Sequence, residues 1–204
     1  SYYTSVFAIG TAISILAGGG ISDVYGWPWS FAAAGIGNIL ALGLGAMWLP
    51  SGNSDPTIRR GLLVDFRPVF RNRAAMGYIF AYAWHLWEGF VNRSWIVAFL
   101  AFSLSLQPDP DVGIISVTAI AAALNLLGLP SSVIGNEIAT RFGRRRVVTA
   151  IMGLSAVIGV LVGLSPSLPY VAVVALLALY TVTITGESSS VTTGTVLAAP
   201  TERK

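Results

Sequence analysis

Apolar residues along this chain fall in several stretches, each long enough to cross about 30 Å of hydrocarbon. The first covers residues 1–22, is uncharged and carries the run Gly18-Gly19-Gly20, which suits a helix packed closely on a neighbour. After a short turn at Asp23 to Gly26, a second uncharged stretch runs from Trp27 to Leu49, with Trp27, Trp29 and Trp48 near its ends where the lipid interface favours tryptophan. Pro50 to Arg73 is the one substantial hydrophilic segment and reads as an aqueous linker. A third span, Ala74 to Ser103, is interrupted by His85, Glu88 and Arg93 and is the least lipid-like. A fourth runs from about Val112 to Ile138 with a kink expected at Pro130, and a basic turn from Arg141 to Arg146 ends it. Val147 to Ser165 forms a fifth, and about Tyr170 to Ala199, which holds Glu187, the sixth. The pattern therefore predicts an all-α membrane protein of six transmembrane helices.

Composition agrees with this pattern. The 204 residues are 54% hydrophobic and 10% charged, whereas soluble domains carry about a quarter of their residues as charges. A mean hydropathy of +0.73 is too high for one anchor helix on a soluble domain. With no cysteine, disulfide frameworks, thiolate metal sites and cysteine nucleophiles are excluded. Ser1 begins inside an apolar segment, and Glu202, Arg203 and Lys204 resemble the start of a loop, so the chain is expected to be an internal piece of a longer protein.

Charge sets the orientation. Of the twelve Lys and Arg residues, five lie in 50–73, four in 141–146 and two at 203–204, and six spans put these three segments on one side of the membrane. Positive residues mark the cytoplasm. The opposite loops carry Asp23, Asp109 and Asp111 with no Lys or Arg. The net charge of +3 thus reflects topology, and nucleic acid is not an expected partner.

The segment Asn136-Glu-Ile-Ala-Thr140-Arg141-Phe142-Gly143-Arg144-Arg145-Arg146 closely resembles the Gly-x-Leu-Ala-Asp-Arg-Phe-Gly-Arg-Arg signature of the major facilitator superfamily. That signature follows the second and eighth helices of the family, so the resemblance implies that the six spans correspond to helices five to ten of twelve. Gly26-Trp27-Pro28-Trp29-Ser30-Phe31 is similar to the family's passage from helix five to helix six, and Thr181 to Pro200 resembles a polar tenth helix. The implied organisation is 1–49 as the last two helices of the N-terminal half, 50–73 as the cytoplasmic linker and 74–204 as the first four helices of the C-terminal half. A cytoplasmic gate at Arg141, Gly143, Arg144 and Arg145 is implied as well. Asn136 and Thr140 replace the family's Gly and Asp, which weakens the charge pairing there. Ser14-Ile15 stands where antiporters have Gly-Pro, which favours symport or uniport.

Charged side chains in mid-bilayer cost about 2.5–3.5 kcal/mol on insertion scales and need a partner or a wet cavity. Glu88, Arg93 and Glu187 are such groups. His85, Glu88 and Asn92 share one helix stripe, while Arg93 lies about 140° round from Glu88. Arg93 is therefore expected to find its partner on another helix, with Glu187 the natural candidate. One reading has Glu88 or Glu187 exchanging a coupling proton that His85 could share. The other has a structural Arg93–Glu187 bridge, with Glu88 bonded to His85 or a tryptophan. Trp84 and Trp87 could line a substrate cavity or simply face lipid, and Asn125 could serve a cavity or act as glue between helices. Arg93 could instead clamp an organic anion.

These observations lead to a secondary transporter of a small organic solute working by alternating access in a prokaryotic inner membrane, with protons and lipid as its other partners. The rival from another class is a non-transporting membrane sensor or scaffold. An intramembrane enzyme would need a nucleophile and base or a metal cluster, and one His with no Cys supplies neither, so no catalytic, cofactor or metal site is assigned.

Overall fold

The structure, a computed structural model, describes residues 2–49, 67–108 and 115–198, and among them it contains eight helices and no strand. They are α1 (Tyr2–Tyr25), α2 (Trp27–Trp48), α3 (Arg67–Arg71), α4 (Arg73–Ser105), α5 (Val117–Leu126), α6 (Gly128–Phe142), α7 (Arg144–Gly163) and α8 (Tyr170–Ala198). Five segments are long and apolar enough to cross a membrane: Phe7–Tyr25, Trp27–Trp48, Val117–Phe142, Arg144–Gly163 and Tyr170–Ala198. The third expected span is a continuous helix of 33 residues. Its His85, Glu88, Asn92 and Arg93 keep it out of that apolar set.

The junctions are tighter than the hydropathy pattern suggests. The turn expected at Asp23 to Gly26 narrows to Gly26 alone, whose φ of 87° is one that other residues rarely adopt. The basic turn at 141–146 is likewise a single residue, Gly143 at φ 94°, with the arginines already helical on either side. Pro130 does interrupt its span. Lacking an N–H, it leaves the Leu126 carbonyl without an intrahelical donor, and the chain breaks at Leu127 into α5 and α6. The linker expected at 50–73 is described only from Arg67 onward, where α3 leads to the Asn72 cap of α4, so most of that segment lies outside the described residues.

The bundle is built around α8, which packs on α4, α6 and α7. Its contacts divide along its length. Ile96, Leu100, Ala121, Leu124, Ile158, Val162, Tyr170, Val173 and Leu177 form one apolar core at the end away from the arginines. Toward the basic end the interfaces turn polar and closely spaced: Ser132 and Ser189 hydroxyls meet at 2.5 Å, and Gly135 of α6 lies against the Gly186 backbone so closely that a Cβ there would collide with it. α1 packs on α2 and α5, and α2 buries no residue within the chain.

Candidate functional site

α8 enters the site carrying hydroxyls on most faces. Thr183, Thr185, Thr192, Thr193 and Thr195 turn theirs back to carbonyls of the preceding turn, the local satisfaction open to helical threonines. Glu187 has no such route. Its side chain is fully buried, and one carboxylate oxygen, Oε1, lies 3.0 Å from Nδ1 of His85 on α4. A single proton serves this contact from either side. His85 Nδ1–H donates to the carboxylate, or a protonated Glu187 donates to the ring. The second oxygen, Oε2, is buried and has no hydrogen-bond partner among the described residues. Tyr82, one turn before His85, stacks its ring on the imidazole with centroids 6.1 Å apart and planes 20° from parallel, which holds the ring's orientation.

The expected Arg93–Glu187 bridge is therefore not formed. His85 lies on the α4 face that meets α8, whereas Arg93, eight residues on, is turned toward α1. There its guanidinium covers the Phe7 ring at 5.0 Å, and among the described residues it makes no ion pair. Arg93 lines a groove of about 380 Å³ whose other walls are Phe7, Gly10, Thr11, Ser14 and Ile15, all from α1. Glu88 also has partners other than those expected. Its Oε2 accepts from the Ser155 hydroxyl of α7 at 3.2 Å, and Tyr180 of α8 lies beside it. The His85–Glu88 stripe thus divides, His85 facing α8 and Glu88 facing α7.

Asn92 reaches α8 through Thr181, with Nδ2 3.4 Å from the hydroxyl oxygen. Asn125 is buried but donates to the Ala121 carbonyl of its own helix at 2.9 Å, and it is not among the residues lining the Arg93 groove. Trp84 and Trp87 are exposed at 65% and 69% and line neither the groove nor the pair. Ser155, Tyr180 and Phe7 have no sequence signal to mark them. Each is an ordinary residue within an apolar span, and only the packing gives it a charged neighbour.

At the basic end, Arg144 donates to the Asn136 side-chain oxygen at 3.1 Å and to the Ser190 carbonyl of α8 at 3.0 Å. Asn136 thus supplies a neutral acceptor, and Arg144 ties the α6–α7 junction to α8 less than one turn from Glu187. Arg141 pairs with Glu137 at 2.9 Å on the exposed helix surface. Arg145 and Arg73 border a groove of about 750 Å³ between α4 and α7. No cluster of three or more metal-ligating side chains occurs among the described residues.

A bundle of apolar helices with a histidine–carboxylate pair sealed in its middle defines a multi-pass integral membrane protein. The sequence matches the Major Facilitator Superfamily family model over residues 1–204, and the chain belongs to that family of transporters. No curated protein and no solved structure matches it.

Proposed function

We propose that this chain serves a proton-coupled secondary transporter of a small organic anion, working as a symporter in a prokaryotic inner membrane. The observation that carries the reading is the buried His85–Glu187 contact at 3.0 Å, with one carboxylate oxygen left without a partner among the described residues. A pair that shares one proton can take up or release a second as the surrounding helices rearrange, and burial makes its affinity sensitive to which side of the membrane it faces. Glu187 lies eleven residues from the basic end of α8, about 16 Å at a helical rise of 1.5 Å per residue. That places it near mid-span, where an alternating-access site belongs. The halves divide at 50–73 in this reading, and Arg144, resting on the Ser190 carbonyl, lets the gate segment at Arg141 to Arg145 respond to the charge state of α8. Uniport is the form the same machinery would take if the pair were purely structural.

The test is uptake in proteoliposomes holding the complete protein, screened across a panel of organic solutes with and without an imposed proton gradient. Glu187→Gln is expected to abolish gradient-driven accumulation while leaving solute counterflow, which needs no proton, within about threefold of wild type. Undiminished accumulation by Glu187→Gln would sink the coupling role. Glu88→Gln is expected to keep accumulation, because Ser155 holds Glu88 on the α7 side.

A further inference from the structure

We infer that the Arg93 groove is a binding site for a monocarboxylate with an apolar or aromatic body. This rests on the transporter reading above and narrows its substrate class. The groove joins two chemistries. One wall is a guanidinium placed over the Phe7 ring at 5.0 Å. This cation–π contact uses no N–H, and among the described residues Arg93 makes no hydrogen bond or ion pair, so its N–H groups are available to grip a carboxylate with two parallel hydrogen bonds. The rest comes from α1, where Phe7, Gly10 and Ile15 are apolar and, among the described residues, Thr11 and Ser14 carry the hydroxyls. Thr11 already donates to the Phe7 carbonyl at 2.8 Å, so its oxygen can only accept from a ligand.

This inventory separates solute classes. A cation would meet Arg93 and be repelled. A dianion would bring a second negative charge, and no other charged side chain among the described residues lines the groove. A sugar would present many hydroxyls to three polar side chains, Arg93, Thr11 and Ser14, and leave the rest unsatisfied. A carboxylate with a planar apolar body meets the guanidinium with its charged end and the apolar wall at Gly10 and Ile15 with its body. At about 380 Å³ the space falls within the usual range for small-molecule sites. Arg93 also lies two turns along α4 from His85, about 12 Å by helical rise. The anion and the proton are thus held by different groups.

The experiment is counterflow of labelled benzoate in proteoliposomes holding the complete protein, with phenylacetate, benzamide, succinate and glucose as competitors. Saturable benzoate counterflow, inhibited by phenylacetate and not by the other three, is expected. Arg93→Gln should raise the benzoate KM about 10- to 100-fold, the loss typical of charge-assisted bonds, and Arg93→Lys should recover part of it. Ile15→Trp, which narrows the groove without touching the charge, should raise KM as well and covers the case in which Arg93→Gln does not fold. Transport of glucose or a cation in place of benzoate, or an unchanged KM in Arg93→Gln, would overturn the inference while leaving a transporter. If no solute on a broad panel moves at all, the transporter reading falls with it.

Discussion

His85 and Glu187 stand 102 positions apart and meet at 3.0 Å, and the chemistry of this pair depends on that meeting. Removing one member of a buried pair leaves the other desolvated without compensation, a loss of about 3–5 kcal/mol in soluble proteins and less in membranes, where the unfolded reference also finds partners. His85→Ala should therefore destabilise the protein by about 2 kcal/mol, read from its thermal midpoint in detergent. Because the damage is the stranded carboxylate, His85→Ala combined with Glu187→Leu should recover most of the loss. Recovery of none of it would show that His85 acts mainly through its stacking with Tyr82. The identities of these residues were legible in the sequence, since a charge in an apolar span must be satisfied. Their partners were not. Helical spacing gives the direction a side chain leaves its own axis, but which helix lies in that direction is a property of packing. Arg93 therefore turned toward Phe7 when Glu187 was expected.

The six expected spans rest on apolar runs, and all six are helical over most of their length, because in lipid the backbone must bond to itself. Boundaries moved where local backbone chemistry outweighed hydropathy. Polar residues at 141, 144, 145 and 146 suggested a loop, yet glycine at 143 alone turns the chain, and Arg141 gains from lying at a helix C-terminus. Close helix approach shows the same dependence on context. Gly135 meets the Gly186 backbone, whereas no described residue lies within 4 Å of the Cβ position at Gly153 on α7. Gly135→Val should force α6 off α8, with overpacking costing about 3 kcal/mol and the thermal midpoint falling. Gly153→Val should leave it close to wild type. Equal midpoints for the two variants would contradict the packing described for α6 and α8.

For the molecule as a whole, α1 and α5 make the contact that decides how the first two helices sit against the rest. At Gly19 of α1 a Cβ would fall 2.5 Å from Cγ2 of Thr118, so glycine permits this approach, while Gly18 and Gly20 meet nothing within 4 Å among the described residues. Gly19→Leu should separate the helices at the end away from the arginines. A cysteine placed at Thr118 reports it cleanly, since the chain has no native cysteine, and its labelling by a membrane-impermeant maleimide should rise several-fold. The same reporter with Gly18→Ala should stay at the parental level. Labelling that ignores Gly19→Leu would mean that this contact does not hold α1 in place.

By itself the sequence determined the solvent this protein occupies, the number and order of its long helices, and the family signature at 136–146. These follow from local quantities: hydropathy summed over a span, charge per loop, and glycine or proline at a junction. Only the tertiary structure decided that Glu187 meets His85, that Glu88 accepts from Ser155, and that Arg93 opens onto a groove of α1 without a carboxylate among the described residues. Those facts depend on the rotation and separation of helices distant in the chain. The bilayer constrains such angles weakly, and close contacts such as Gly135 on Gly186 set them.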